Sequence, residues 1–158
     1  MQLDNIDLRI LDKLQTDASL SSAELANHVG LSQSPCWRRV NLLENAGIIE
    51  KRVTLLARTK LGLGALVYVD VKLADHGGTT LPALRKLVES SPEVLQCVML
   101  MGDVDYALVV ATRDIDAYSE FLRTRLSKVP GIREITSRIV LEEIKNTTAL
   151  PLSYAVAR

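Results

Sequence analysis

The hydrophobic period of this chain changes once along its length. Up to Gly47, apolar residues recur every three or four positions; from Leu66 they alternate or run on continuously. Such a break predicts a small helical part followed by an α+β part, and 158 residues suffice for one ordinary domain or two small ones. At 47% hydrophobic and 24% charged residues, wholesale disorder is excluded.

In the first part, Ile6, Ile10 and Leu14 form one stripe of a first helix starting near Asp4. Ser21-Ser22-Ala23-Glu24 has the form of a capping box opening a second helix, with Leu25 and Val29 facing inward. Gly30 makes a sharp turn, Ser32 caps a third helix, and Pro35 is tolerated in its first turn. Cys36, Val40 and Leu43 form the inward stripe of that helix, and Gly47 ends it as the C′ residue. Three short helices, the last two joined by Val-Gly-Leu, read as a helix-turn-helix. Ile48-Ile49 and Val53 to Leu56 predict two short strands, a wing with Lys51-Arg52 near its tip. Gln33, Ser34, Trp37 and Arg38 point away from the apolar stripe, and their amide, hydroxyl and guanidinium groups suit phosphates and base edges in a major groove. A three-helix core with a charged surface is the plainer alternative. Trp37 is costly to leave bare on a polar face, so it is expected to meet DNA sugars, a neighbouring helix or another subunit.

Formal net charge is zero, which argues against a protein that coats nucleic acid or membranes by bulk attraction. The charge is nevertheless unevenly placed. Residues 1–24 carry five acids against two bases, whereas residues 38–60 carry six bases (Arg38, Arg39, Lys51, Arg52, Arg58, Lys60) against two acids. The remainder is close to balanced.

After a connector at 58–64, Leu66 to Leu73 alternates as a strand, and His76-Gly77-Gly78 reads as a loop. Leu81, Leu84, Leu87 and Val88 have helical spacing, ended by Ser90-Ser91-Pro92. Val94 to Met101 and Tyr106 to Ala111 are apolar strands. Tyr118, Phe121, Leu122, Leu126 and Val129 predict a second helix stopped by Pro130-Gly131, and Ile135, Ile139 and Leu141 a last strand. The order βαββαβ is the ferredoxin-like arrangement, so the whole is an α+β chain with expected parts 1–57, 58–64 and 65–158. Two helices cover only one face of four strands. Strict alternation puts Leu95, Cys97, Met99 and Met101 on one face of the strand beginning at Val94, and Val94, Val98 and Leu100 on the other. A homodimer, burying the uncovered face against a second copy, is therefore expected.

Gly102-Asp103-Val104-Asp105-Tyr106, between the middle strands, has two readings. It is a hairpin turn built of ordinary turn residues, the commoner case. Alternatively, its backbone N–H groups, two carboxylates and phenol complement a free amino acid.

Other classes find little support. No apolar run approaches ~20 residues, so no membrane-spanning helix is expected, and the acidic start is unlike a signal peptide. Cys36 and Cys97 lack metal-ligand spacing and suit a reducing compartment, so neither metal nor cofactor is expected. His28 and His76 have no nucleophile or phosphate loop to serve, which leaves no catalytic residues to name. An oligomeric small-molecule-binding module without specific DNA binding is the alternative to a DNA-binding regulator.

Taken in order, Asp4-Asn5-Ile6-Asp7, Glu24-Leu25-Ala26, Val29-Gly30-Leu31-Ser32, Arg39-Val40, Gly47-Ile48-Ile49, Gly102-Asp103-Val104-Asp105-Tyr106, Pro130-Gly131 and Glu143-Ile144-Lys145 resemble the Lrp/AsnC (leucine-responsive, feast/famine) transcription regulators over nearly the whole chain. The resemblance implies a cytoplasmic regulator, dimeric and often octameric, that binds double-stranded DNA and an amino acid. Carried over, Ser32 to Arg39 become the recognition-helix candidates, and Gly102, Asp103, Asp105 and Tyr106 the effector candidates. Arg38, Arg39, Lys51 and Arg52 would mainly hold phosphates. Where the family often has Gly-Tyr after the third helix, this chain has Lys51-Arg52, and Trp37 fills a place more often polar or aliphatic.

Overall fold

The computed structural model describes residues 2–74 and 79–155; the expected His76-Gly77-Gly78 loop lies outside them. Its regular elements are helices α1 (Asn5–Thr16), α2 (Ser22–Val29), α3 (Gln33–Asn45), α4 (Thr80–Glu89) and α5 (Ile115–Thr124), and strands β1 (Ala65–Leu73), β2 (Val94–Met99), β3 (Tyr106–Thr112) and β4 (Ile132–Ile139). The chain divides into two compact units. Met1–Leu55 groups with the chain from Lys145 onward, and Leu56–Ile144 forms the second unit. The connector therefore groups with the sheet, and the tail with the helices.

The helical unit is built from local signals. Asp4 caps α1 and Ser21 caps α2, each in a reciprocal capping box, with Asp7 and Glu24 returning to the cap N–H groups. Ile10, Leu14, Leu25, Val29, Cys36, Val40 and Leu43 meet in one buried cluster. At the end of α3, Gly47 takes φ 69°, the left-handed region open to glycine. Its N–H donates to the Glu44 carbonyl at 2.9 Å, and the Ile48 N–H to the Leu43 carbonyl at 3.0 Å, a Schellman closure. Here the expected wing fails to form. The N–H groups of Ile48 and Ile49 both serve the Leu43 carbonyl, and residues 50–57 are neither helix nor strand. With no second strand to supply a ladder, Val53, Leu55 and Leu56 stay exposed. Gln15 fastens the tail: its amide donates to the Leu150 carbonyl at 3.0 Å and accepts the Leu150 N–H at 2.8 Å.

The second unit is a four-stranded antiparallel sheet in the order β2-β3-β1-β4, with its core on one face. Val67, Val69, Val71, Leu108 and Val110 pack there with Leu84 of α4 and with Tyr118 and Phe121 of α5. Three expectations are corrected. A register shift between Val94 and Gln96 puts Val94 opposite Val110 while Cys97 faces Leu108, so Val94 shares the core side with Cys97 and Met99. One extra residue reverses the alternation behind it. Helix α5 stops at Thr124, and Leu126 and Val129 reach the core from a 3-10 turn at Leu126–Lys128 and its cap. Pro130, just beyond, would bar a longer helix. The last strand also ends at Ile139, leaving Leu141 exposed beyond it.

The opposite sheet face carries no helix. Tyr68, Val98, Ala107 and Val109 lie on its β2–β3–β1 side. On the β1–β4 side, Asp70 pairs with Arg138, and Lys72 with Glu134 at 3.2 Å.

Candidate nucleic-acid interface and effector site

Helix α3 sorts its residues by face. Cys36, Val40 and Leu43 are buried, while Ser32, Gln33, Ser34, Trp37 and Arg38 are exposed. Ser32 is the N-cap, with no side-chain capping bond. Trp37 is 57% exposed and stands apart from the buried cluster. Among the described residues, Arg38 and Lys51 hold no ion pair or hydrogen bond, so both are free cations.

Two other basic candidates are engaged within the unit. Arg39 Nη1 donates to Asp7 Oδ1 at 2.7 Å and to Asp4 Oδ2 at 2.8 Å, binding α3 to the start of α1. The Asp7 side chain is only 4% exposed, so this is a buried charge held by its partner. The Asp7 N–H and the Arg39 guanidinium hold the Asp4 carboxyl below its usual range, and Asp7 and Asp4 raise Arg39 further. Arg52 pairs with Glu44 at 2.9 Å, both side chains remaining partly exposed. Of the rest of the basic stretch, Arg58 donates to the Leu63 and Gly64 carbonyls and pairs with Glu143 at 2.8 Å. The residues missed by sequence reasoning are thus Asp4 and Asp7 as partners of Arg39. They lie 35 and 32 positions away, and no local spacing marks the pairing.

The segment between β2 and β3 is a hairpin loop closed by the Leu100 N–H donating to the Asp105 carbonyl at 2.9 Å. Gly102 and Asp103 are exposed, and no N–H from Met101 to Val104 has an acceptor within the described residues. Asp105 plays a different part. Its Oδ2 accepts the Leu73 N–H at 2.7 Å and its own N–H donates to the Val71 carbonyl at 3.1 Å, anchoring the loop to β1. Tyr106 is half-buried and turns toward α4, where it lines a cavity of about 570 Å³ with α4 and β2. The structure therefore brings Gly102, Asp103 and Tyr106 to one end of the sheet with open backbone donors.

Among the described residues, no three His, Cys, Asp or Glu side chains gather as a metal site, and no helix is long and apolar enough to cross a membrane. Burial pushes the thiols of Cys36 and Cys97 up, so both are neutral.

Comparison with known proteins agrees with both halves. Residues 3–50 match a winged helix-turn-helix DNA-binding model, and residues 66–150 match the Lrp/AsnC ligand binding domain. The glutamate uptake regulatory protein of Zymomonas mobilis is 40% identical over 151 residues, covering 96% of this chain and 92% of that one. The DNA-binding transcriptional activator DecR of Escherichia coli is 38% identical over 150 residues, covering 95% and 99%. A transcriptional regulator from Neisseria meningitidis, solved as a complex with L-methionine, superposes with a TM-score of 0.93 at 36% identity, covering 98% of this chain and 99% of that one. With a helix-turn-helix that presents its third helix, followed in sequence by a four-stranded ligand-binding unit, this chain belongs to the Lrp/AsnC family of DNA-binding transcriptional regulators.

Proposed function

We propose that the chain reads double-stranded DNA through the outer face of α3 as a homodimer, and that a free amino acid at the Gly102–Tyr106 loop biases its assembly or its hold on DNA. The observation that carries this reading is the division of the basic residues. Among the described residues Arg38 and Lys51 are free, whereas Arg39 and Arg52 are held by intrachain carboxylates. Ser32, Gln33, Ser34 and Trp37 meet the bases or sugars, Arg38 and Lys51 hold phosphates, Arg52 contributes once released from Glu44, and Arg39 positions the helix. Two recognition helices in a dimer then occupy successive major grooves about 34 Å apart.

The open N–H groups of the loop suit a carboxylate, and Asp103 an ammonium. That the Neisseria regulator is complexed with L-methionine supports an amino acid as the ligand. The uncovered sheet face forms the dimer, and dimers assemble to octamers in the cytoplasm. The chain carries out no catalysis. Titrating DNA from upstream of its own gene across a salt series, with and without amino acids, tests this reading. Steep salt dependence that shifts with one amino acid is expected. Unchanged binding by a variant carrying Arg38→Ala and Lys51→Ala together overturns it.

A further inference from the structure

Trp37 is the single tryptophan of the chain, and the unit that carries it closes its core without it. It lies in the N-terminal half of α3, 57% exposed, and among the described residues its indole N–H has no acceptor. The residues around it on the helix are all polar: Gln33 and Ser34 one turn before, Arg38 beside it and Asn41 one turn after. An indole left in water forfeits the burial of a large apolar surface, so the ring calls for a partner. A single ring among polar neighbours is a poor seed for a subunit contact, whose centre is a contiguous apolar patch depleted in charge. It fits better against a surface that is polar and anionic around one apolar group.

From this placement we infer that Trp37 is a specificity-determining residue whose indole packs on the C5-methyl group of a thymine in each half-site. The inference rests on the reading of α3 as the helix that meets DNA, and it adds the base and the atom that Trp37 recognises. A major groove is flanked by phosphates and presents donors and acceptors along the base edges. The one alkyl group among them is the thymine methyl. The N-terminal residues of a recognition helix are those that face base edges. Gln33 and Ser34 match polar atoms there and Arg38 a phosphate, which leaves the methyl to the indole. Wedging the ring between bases would require unstacking a step, a far larger cost than packing on a methyl already open in the groove.

The probes are duplexes enriched by the full chain from a random-sequence library, with each thymine replaced in turn by deoxyuridine, which lacks only the C5-methyl. The parent chain is expected to bind at least one substituted duplex about fourfold more weakly, the worth of one buried methyl group. Trp37→Ala is expected to bind the thymine and deoxyuridine forms alike, and Trp37→Phe, which keeps an apolar ring, to retain part of the preference. Thermal unfolding and sedimentation of Trp37→Ala are expected to match the parent, since the ring is outside the buried cluster. A thymine preference that survives Trp37→Ala refutes the inference and leaves the reading of α3 standing, as does a parent chain indifferent to every deoxyuridine. Loss of the dimer in Trp37→Ala also refutes it, assigning the ring to a subunit contact. A library that yields no preferred duplex refutes both the reading of α3 and this inference.

Discussion

In the helical unit, the exposed face of α3 is largely polar: Gln33, Ser34 and Arg38, with Trp37 among them. In the sheet unit, the edge strand β2 and the residues just beyond it expose apolar side chains, Leu95, Val98, Met99, Leu100 and Met101. The first unit packs the apolar stripes of three short helices into one cluster and keeps cations at the surface, as suits a polyanionic partner. The second has two helices for a sheet with two faces, so one face stays uncovered, as suits further copies of the same chain. The same chain thus presents two chemically different kinds of surface.

The sharpest way to break that contrast is to charge the bare sheet face. Val98→Asp together with Tyr68→Asp is expected to weaken dimerisation more than a hundredfold, since burying an unpaired charge costs about 3–5 kcal/mol. Sedimentation velocity reads this directly, and a variant that remains dimeric assigns the interface elsewhere. Within the helical unit, Asp7→Ala removes both a capping partner and the buried acceptor of Arg39. A loss of about 2 kcal/mol is expected in the unfolding of that unit, read by amide exchange of its core while the sheet core keeps its protection.

A smaller effect separates two adjacent arginines. Arg38→Ala is expected to lower the slope of log affinity against log salt by about one while leaving stability unchanged. Arg39→Ala is expected to lower stability chiefly. Equal effects on both quantities would erase the distinction between phosphate holder and positioning residue. The smallest effect is acid sensitivity. Asp4 is lowered chiefly by the Asp7 N–H, Asp17 by the Ser19 hydroxyl, Glu24 by Ser21, and Asp114 by the Ala117 N–H. A carboxylate lowered on folding adds stability that is present above its unfolded value and lost as pH falls through the folded one. Three of these four sit in the helical unit, so below about pH 4 amide exchange should accelerate there before it does in the sheet.

What could be read from the residues was whatever depends on near neighbours. The Ser21–Glu24 box, the Cys36–Val40–Leu43 stripe and the Gly47 ending lie within a few positions of one another, and each has its expected geometry. Element order followed from the change of period. What escaped needs distant or counted information. The bulge before Gln96 adds one residue, leaves no mark in composition, and transfers Val94 to the core side. The wing required a second strand that residues 50–57 do not find among the described residues. In the candidate site, the exposed face of α3 was legible from helical spacing, whereas the attachment of Arg39 to Asp4 and Asp7 was not. Nor was the turning of the Asp105 carboxylate toward the Leu73 N–H, because both join positions more than thirty residues apart.

The paired hydrogen bonds between Gln15 and Leu150 let a side-chain amide stand in for a neighbouring peptide group. A fastening made this way is blind to the identity of the residue it holds. Almost any side chain can occupy position 150 without loosening the tail, because only its main chain is gripped. Proline is the exception, lacking the N–H. The substitutions this joint tolerates are therefore lopsided: position 150 is open to most residues, while position 15 must keep an amide of the right length.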